Sequence, residues 1–283
     1  MTLSGKTQVI GIFGHPVSHS ASPAMHNAAY SDLDLDCVYV PFDVEPGRVG
    51  DAVEALRALS IRGVNVTVPH KEAVVEYLDE VDPLAKKMGA VNTIVNRDGR
   101  LVGFNTDGPG FVAAIKQDFG LDVSGKQVVL LGAGGSSRGI VVSLLEAQVA
   151  SVTILNRSVD KAKAMAESLG DSRLSVCALT DTLANDVLSQ ADLVVNTTSV
   201  GMVPDTQQSP LQDFSWVQDG QCVYDIIYSP AKTRFLSESE QAGARISNGV
   251  SMLAGQGVLA FELFTGSKCS FEFMKEQIEK GMS

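Results

Sequence analysis

Short β-branched runs alternate with helix-patterned stretches along almost the whole chain, and that alternation is the signature of stacked βαβ units with parallel sheet. In the first half, strands are expected at Val9 to Phe13, Val38 to Val44 and Val64 to Val68. Helices are expected at Pro23 to Ser31, Val49 to Leu59 and from about His70 to Leu78. A hairpin should follow, Asn92 to Val95 against Leu101 to Phe104, around Asn96-Arg97-Asp98-Gly99. A second series starts after Gly125-Lys126, with strands at Gln127 to Leu131, Val152 to Leu155, Leu174 to Cys177, Leu193 to Asn196 and Cys222 to Ile226. Helical stretches near 136–148, 158–169 and 231–241 separate them, and an apolar helix, Met252 to Phe264, precedes a polar amphipathic tail. At 283 residues the chain has length for about two domains, each able to bury its own core.

Charge and cysteine usage narrow the partners. The formal net charge is −11 with no run of five or more like charges, which argues against nucleic acid and anionic membrane surfaces. An anionic ligand must then be captured by local donors. No apolar stretch approaches the ~20 residues of a membrane span, and no apolar leader is visible at the start. Cys37, Cys177, Cys222 and Cys269 are scattered without CxxC spacing, and the four histidines are dispersed. A reduced, cytoplasmic protein without a metal site is the expectation.

The strand Val128 to Leu131 runs into Gly132-Ala133-Gly134-Gly135-Ser136 and then an apolar helix. Glycines there let the backbone turn tightly and approach a pyrophosphate, which would sit on the free N–H groups of the helix N-terminus. A plain βα turn is the bland alternative; the flanking strand, helix and next strand favour a dinucleotide. The next strand ends in Asn156-Arg157-Ser158, with Lys161 one helical turn later. An acidic residue there would accept from a ribose 2′-OH, whereas an Arg suits a 2′-phosphate, so NADP is expected over NAD. A solvated Arg at a helix start is the competing reading, weakened because cations are disfavoured at that end of the dipole. Asn196-Thr197-Thr198-Ser199-Val200-Gly201-Met202 is a polar turn at a carboxyl end of the sheet, where it would either border the nicotinamide or cap itself.

Other polar groups gather near helix starts and strand ends. Ser20 and Ser22 precede a helix with Pro23 in its first turn; two hydroxyls there suit a carboxylate, and capping alone would also explain Ser22. Asn65 and Thr67 share one face of a strand, with Lys71 just beyond at a helix start. Asn105-Thr106-Asp107-Gly108 places another carboxylate against a helix start, either as a functional group or as an ordinary N-cap. Gln256 lies on an apolar helical face among Met252, Leu253, Leu259 and Ala260, so it needs a partner: a ligand hydroxyl, or a satisfied core contact.

Taken in order, Ser20-x-Ser22-Pro23, Asn65-Val66-Thr67-Val68-Pro69-x-Lys71, Gly89-Ala90-Val91-Asn92-Thr93, Asn105-Thr106-Asp107-Gly108, Gly132-Ala133-Gly134-Gly135, Asn156-Arg157, Asn196 to Met202, and Gly249, Met252 and Gln256 resemble the shikimate dehydrogenase family across nearly the full length. Two departures stand out: Gly249-Val250-Ser251-Met252 replaces the family's more usual Gly-Leu-Gly-Met, and Ser158 and Lys161 stand where Thr and Arg are common. The resemblance implies an α/β architecture in which a Rossmann-type, doubly wound NADP domain (108–247) is inserted into a substrate-binding catalytic domain (1–107, with 248–283 returning to it). It implies Lys71 and Asp107 as the catalytic pair, and Ser20, Ser22, Asn65, Thr67, Lys71, Asn92, Asp107, Tyr228 and Gln256 around the substrate. For the cofactor it implies Gly132, Ala133, Gly134, Gly135, Ser136, Asn156, Arg157, Ser158, Lys161, Thr197, Ser199, Ile226, Gly249 and Met252. The activity implied is NADPH-dependent reduction of 3-dehydroshikimate to shikimate by a monomer or homodimer, in the route to chorismate and aromatic amino acids. A quinate/shikimate dehydrogenase of broader range is one alternative, which Thr67 weighs against because quinate-accepting relatives often carry Ser there. An NADPH-binding regulatory protein without chemistry is another.

Overall fold

The computed structural model describes residues 3–180 and 183–282. The chain divides into two units, one running to Gly110 and resuming at Ala254, the other comprising Phe111–Leu253. The first unit opens with β1 (Gln8–Gly14), α1 (Ser22–Asp32), β2 (Cys37–Asp43), α2 (Val49–Ala58) and β3 (Gly63–Val66). After a 3₁₀ turn at Ala73–Tyr77 come β4 (Glu80–Val81), α3 (Pro83–Met88), β5 (Thr93–Arg97) and β6 (Arg100–Phe104). The sheet order is β2-β1-β3-β5-β6-β4. β1 is parallel to β2 and β3, whereas β5 runs antiparallel to β3 and β6. The β5–β6 reversal is a two-residue loop, with Asp98 (φ 52°) and Gly99 (φ 90°) both left-handed, as a hairpin turn that matches strand twist requires. The turn is therefore Arg97 to Arg100, one residue later than the sequence suggested.

The segment expected as a helix from His70 to Leu78 is only the 3₁₀ turn. The reason is long-range: the Lys71 carbonyl accepts from Val91 N at 2.8 Å, so it is not available to Val75, whose N–H goes to Glu72 instead. That diversion leaves Lys71 in a turn rather than at a helix start.

α4 (Asp107–Phe119) carries the chain into the second unit, where β7 (Gln127–Leu131), α5 (Gly135–Glu146), β8 (Ser151–Asn156), α6 (Val159–Leu169), β9 (Leu174–Ala178) and α7 (Ala184–Ser189) follow. β10 (Leu193–Asn196), β11 (Cys222–Asp225), α8 (Arg234–Gln241) and β12 (Arg245–Ser247) complete it. The order β12-β11-β10-β7-β8-β9 is parallel throughout, which is the 3-2-1-4-5-6 Rossmann arrangement. Both faces are covered, one by a core including Val128, Leu130, Ile140, Leu144 and Ile154, the other by one including Val129, Leu131, Leu188, Trp216 and Phe235. Such double burial explains why these strands read as continuous apolar runs. The order reverses between β7 and β10, so the crevice beyond their carboxyl ends is where such sheets bind ligands. The chain returns to the first unit along α9 (Val250–Thr265) and ends in α10 (Phe271–Met282). No helix among the described residues is long and apolar enough to cross a membrane.

Candidate functional site

In the first unit, Lys71 and Asp107 meet although 36 residues separate them: Lys71 Nζ donates to Asp107 Oδ2 at 2.5 Å. Both are half-buried, with side-chain exposures of 32% and 25%, so the pair is reachable yet partly shielded from water. The turn carrying Lys71 is pinned from behind by buried His70, whose ring nitrogen lies 2.6 Å from Val44 O. Asp107 opens α4, but its carboxylate is used elsewhere, because Asn92 Nδ2 donates to Oδ1 at 2.8 Å while Lys71 takes Oδ2. The Asp107 N–H is met by Asn105 Oδ1 at 3.1 Å, so Asn105 supplies the local turn and Asp107 is left for the pair. Asn92 is itself fixed, since its Oδ1 accepts from Thr106 N at 2.8 Å.

Asn65 is buried and its amide already engaged, accepting from Tyr39 OH at 2.7 Å and donating to Asn92 O and Thr93 Oγ1. Thr67, just past β3, is half-buried and donates its N–H to Phe13 O. At α1 the hydroxyls divide their work. Ser20 Oγ accepts from Ser22 N at 3.2 Å, whereas Ser22 is the first helical residue and makes no capping bond. Contrary to the expectation from sequence, the N-cap is Ala21 and no side chain caps the helix, so the buried Ser22 hydroxyl has no capping role. Gln256 is buried on α9.

In the second unit, Gly132 ends β7 at φ +110°, and a Cβ there would lie 2.8 Å from Thr198. Only glycine lets this turn pass beneath the 196–199 loop. The two loops are tied directly, because Thr197 Oγ1 donates to Leu131 O at 2.8 Å; Thr197 is satisfied internally, while Ser199 is exposed. A Cβ added at Gly134 or Gly135 would meet nothing within 4 Å, and Gly135 and Ser136 stand exposed at the start of α5. Ala133 is buried beside them. That combination, an open glycine cradle on a helix N-terminus, suits a pyrophosphate. At the adjacent strand end, Arg157, Ser158 and Lys161 are exposed, and Asn156 Nδ2 donates to Ser158 O. Arg157 has no ion pair among the described residues, so its charge is available to a phosphate. The donor set fits NADP.

Ile226, Gly249 and Met252 gather beyond β11. Gly249 runs so close to Ile226 that a Cβ would meet its carbonyl oxygen at 2.0 Å, and Met252 N donates to the buried Tyr224 hydroxyl. Ser251, one of the departures from the family pattern, is buried and donates to Asp118 Oδ1 at 2.8 Å, so its hydroxyl has a partner at the head of α9. Tyr228 is 40% exposed in the loop after β11. One group here was missed by the sequence reading: Asp225, fully buried at the end of β11. It accepts from Asn196 Nδ2, Ile227 N and Thr233 Oγ1, joining the β10 loop, the β11 loop and the start of α8. Burial pushes its pKa up to about 6, partly offset by those three donors. The signal was an acid closing an apolar strand, Cys222-Val223-Tyr224-Asp225. Among the described residues no group of three or more His, Cys, Asp or Glu is arranged to hold a metal.

Known proteins resemble this chain along almost its whole length. The model for the shikimate dehydrogenase substrate binding domain matches residues 12–94. The shikimate / quinate 5-dehydrogenase model matches 113–208, and that of the shikimate 5'-dehydrogenase C-terminal domain 249–279. A shikimate dehydrogenase (NADP(+)) from Geobacillus kaustophilus is 45% identical over 271 residues, covering 96% of this chain and 97% of its own. The crystal structure of shikimate 5-dehydrogenase from Listeria monocytogenes, in complex with shikimate and NAD, superposes with a TM-score of 0.93 at 34% identity over 98% of each chain. That of the Thermus thermophilus enzyme with NADP(H) and shikimate gives 0.86 at 38% identity, over 96% of this chain and 99% of that one.

Proposed function

The chain belongs to the shikimate dehydrogenase family, and from that premise we propose that it catalyses the reversible, NADP-dependent reduction of 3-dehydroshikimate to shikimate, a step toward chorismate and the aromatic amino acids. The observation that carries the reading is the Lys71–Asp107 contact at 2.5 Å, with Asn92 holding the other carboxylate oxygen. The unit built from residues up to Gly110 and from Ala254 onward binds the substrate, and the inserted unit binds the cofactor.

When bound, NADP supplies the hydride exchange; the protein's own task is the proton and the orientation. In reduction the ketone oxygen gains negative charge, and the Lys71 ammonium both stabilises that charge and donates the proton. In oxidation the Lys71 amine takes the hydroxyl proton. Asp107 holds the amine in place through Oδ2, so the donor is positioned before substrate arrives. Ser20 and Ser22 hold the substrate carboxylate, with Thr67 and Gln256 on the hydroxyls and Asn65 and Asn92 shaping the pocket behind them. In the other unit, Gly132, Ala133, Gly134, Gly135 and Ser136 hold the pyrophosphate. Asn156, Arg157, Ser158 and Lys161 hold the ribose phosphate, and Thr197, Ser199, Ile226, Gly249 and Met252 border the nicotinamide. We place the protein in the cytoplasm, as a monomer or homodimer; its four cysteines are free.

Initial rates with shikimate and quinate, each with NADP and NAD, test the reading by absorbance of the reduced nicotinamide. Shikimate with NADP should turn over fastest. Equal turnover of quinate would make this a broader dehydrogenase, and tight NADPH binding with no turnover would make it a regulatory protein. Cofactor choice has its own check. Arg157→Ala should weaken NADPH by roughly 10–100-fold, the equivalent of one charge-assisted contact, while NADH is nearly unaffected. Equal losses for both cofactors would mean that Arg157 is structural.

A further inference from the structure

Two buried hydroxyls that no part of the reading above uses, those of Tyr39 and Thr93, lie in one continuous hydrogen-bonded path through the first unit. The donor directions can be fixed from the backbone. Asn65 Nδ2 faces Asn92 O, which can only accept, so Asn65 Oδ1 is the acceptor for Tyr39 OH at 2.7 Å. Thr106 N–H likewise fixes Asn92 with Oδ1 toward Thr106 and Nδ2 toward Asp107. Thr93 Oγ1 sits between the two amides, accepting from Asn65 Nδ2 at 3.0 Å and donating to Asn92 Oδ1 at 3.0 Å. Every donor therefore points the same way: Tyr39 to Asn65, Asn65 to Thr93, Thr93 to Asn92, Asn92 to Asp107.

Register explains why the path can form. Thr93 pairs with Asn65 across the β3–β5 ladder, so their side chains stand on one face of the sheet. Tyr39 is 1% exposed and Thr93 0%, so neither can exchange its partner for solvent. Hydrogen bonds aligned head to tail in a low-dielectric interior reinforce one another, and breaking one leaves a buried polar group unpaired. We propose that Tyr39 and Thr93 are positioning residues for the reaction: Thr93 sets the Asn92 amide against Asp107 and hence the Lys71 donor, and Tyr39 sets the Asn65 amide at the substrate end. The proposal rests on the reading of Lys71–Asp107 as the catalytic pair.

The test compares Thr93→Val, Thr93→Ser, Tyr39→Phe and Lys71→Ala, with kcat and KM for shikimate and the melting temperature of each. Thr93→Val keeps the shape but removes the relay hydroxyl, and should lower kcat roughly five- to tenfold with a smaller change in KM. Thr93→Ser restores the hydroxyl and should recover most of kcat, even though it removes a buried methyl. Tyr39→Phe should act at the other end, raising KM for shikimate by a similar factor. Thr93→Val with unchanged kcat, or Val and Ser variants equally impaired, would overturn the inference. If Thr93→Val yields no folded protein, Tyr39→Phe decides: an unchanged KM overturns it. A Lys71→Ala enzyme that keeps its kcat would sink the underlying reading as well, whereas loss in Lys71→Ala beside a normal Thr93→Val would sink the positioning role alone.

Discussion

Lys71→Ala should lower kcat for shikimate oxidation by roughly 10²–10⁴-fold, the range for a positioned general acid–base group, while KM moves little. The expectation follows from where the amine sits. Its single described carboxylate partner, Asp107, holds it at 2.5 Å, and the His70–Val44 contact fixes the turn that presents it. Alanine removes the proton carrier and the charge that favours the developing oxyanion, both of which matter more in the transition state than in the bound substrate. The hydroxyls of Ser20 and Ser22, the proposed carboxylate contacts, remain, so ground-state binding should be largely kept. Near-full kcat with a large rise in KM would make Lys71 a binding residue only.

The second large effect is on stability against pH, and it has opposite signs in the two units. His26 is fully buried, stacked on Tyr39 with ring centroids 4.5 Å apart, and neither ring nitrogen has a partner among the described residues. Burial lowers its pKa from 6.5 to about 3. Protonation therefore opposes folding: the first unit has full stability from this group above pH 6.5 and loses it as pH falls toward 3. The shift corresponds to about 5 kcal/mol. Asp225 is the reverse case, with a pKa raised from 3.8 to about 6. Its contribution is full below pH 3.8 and is lost as pH rises through 6, amounting to about 3 kcal/mol in the second unit. Denaturant unfolding at a series of pH values, read separately for each unit by its own probes, should show His26→Phe flattening the acid loss of the first. Asp225→Asn should remove the decline of the second between pH 4 and 6. Profiles that keep their wild-type slopes in these variants would mean that neither group carries the linkage.

The parts of the fold that the sequence made legible are those governed by local pattern. Val128 to Leu131 and the strands β10 and β11 announce themselves because a strand buried on both faces must be apolar almost throughout. The glycine turn at 132–135 is equally local, since a backbone at φ +110° beneath Thr198 leaves glycine no substitute. What escaped was set at a distance. The stretch 70–78 has helical composition, yet one bond from Lys71 O to Val91 N holds it to a 3₁₀ turn. The two-residue β4 and the short α3 and α7 are too brief to show a period. Ser22 looked like the cap because it precedes Pro23, but the helix starts one residue earlier, with Ser22 already inside it and Ala21 at the N-cap. At the site, Lys71 and Asp107 were legible as polar groups beyond strand ends. Tyr39, Thr93 and Asp225 were not, because a Tyr or Thr within a strand reads as ordinary β-former and an acid at a strand end as ordinary turn. Their importance lies in partners 8 to 29 residues away, which only the folded chain supplies.

If Lys71 and Asp107 act as one unit, a double-mutant cycle on kcat will show it. Lys71→Ala, Asp107→Asn and the double variant are measured with shikimate and NADP at saturating concentrations. Because Asp107 works by holding Lys71, losing both should cost little more than losing Lys71 alone. A double variant whose loss equals the product of the two single losses would show two independent residues and contradict the account.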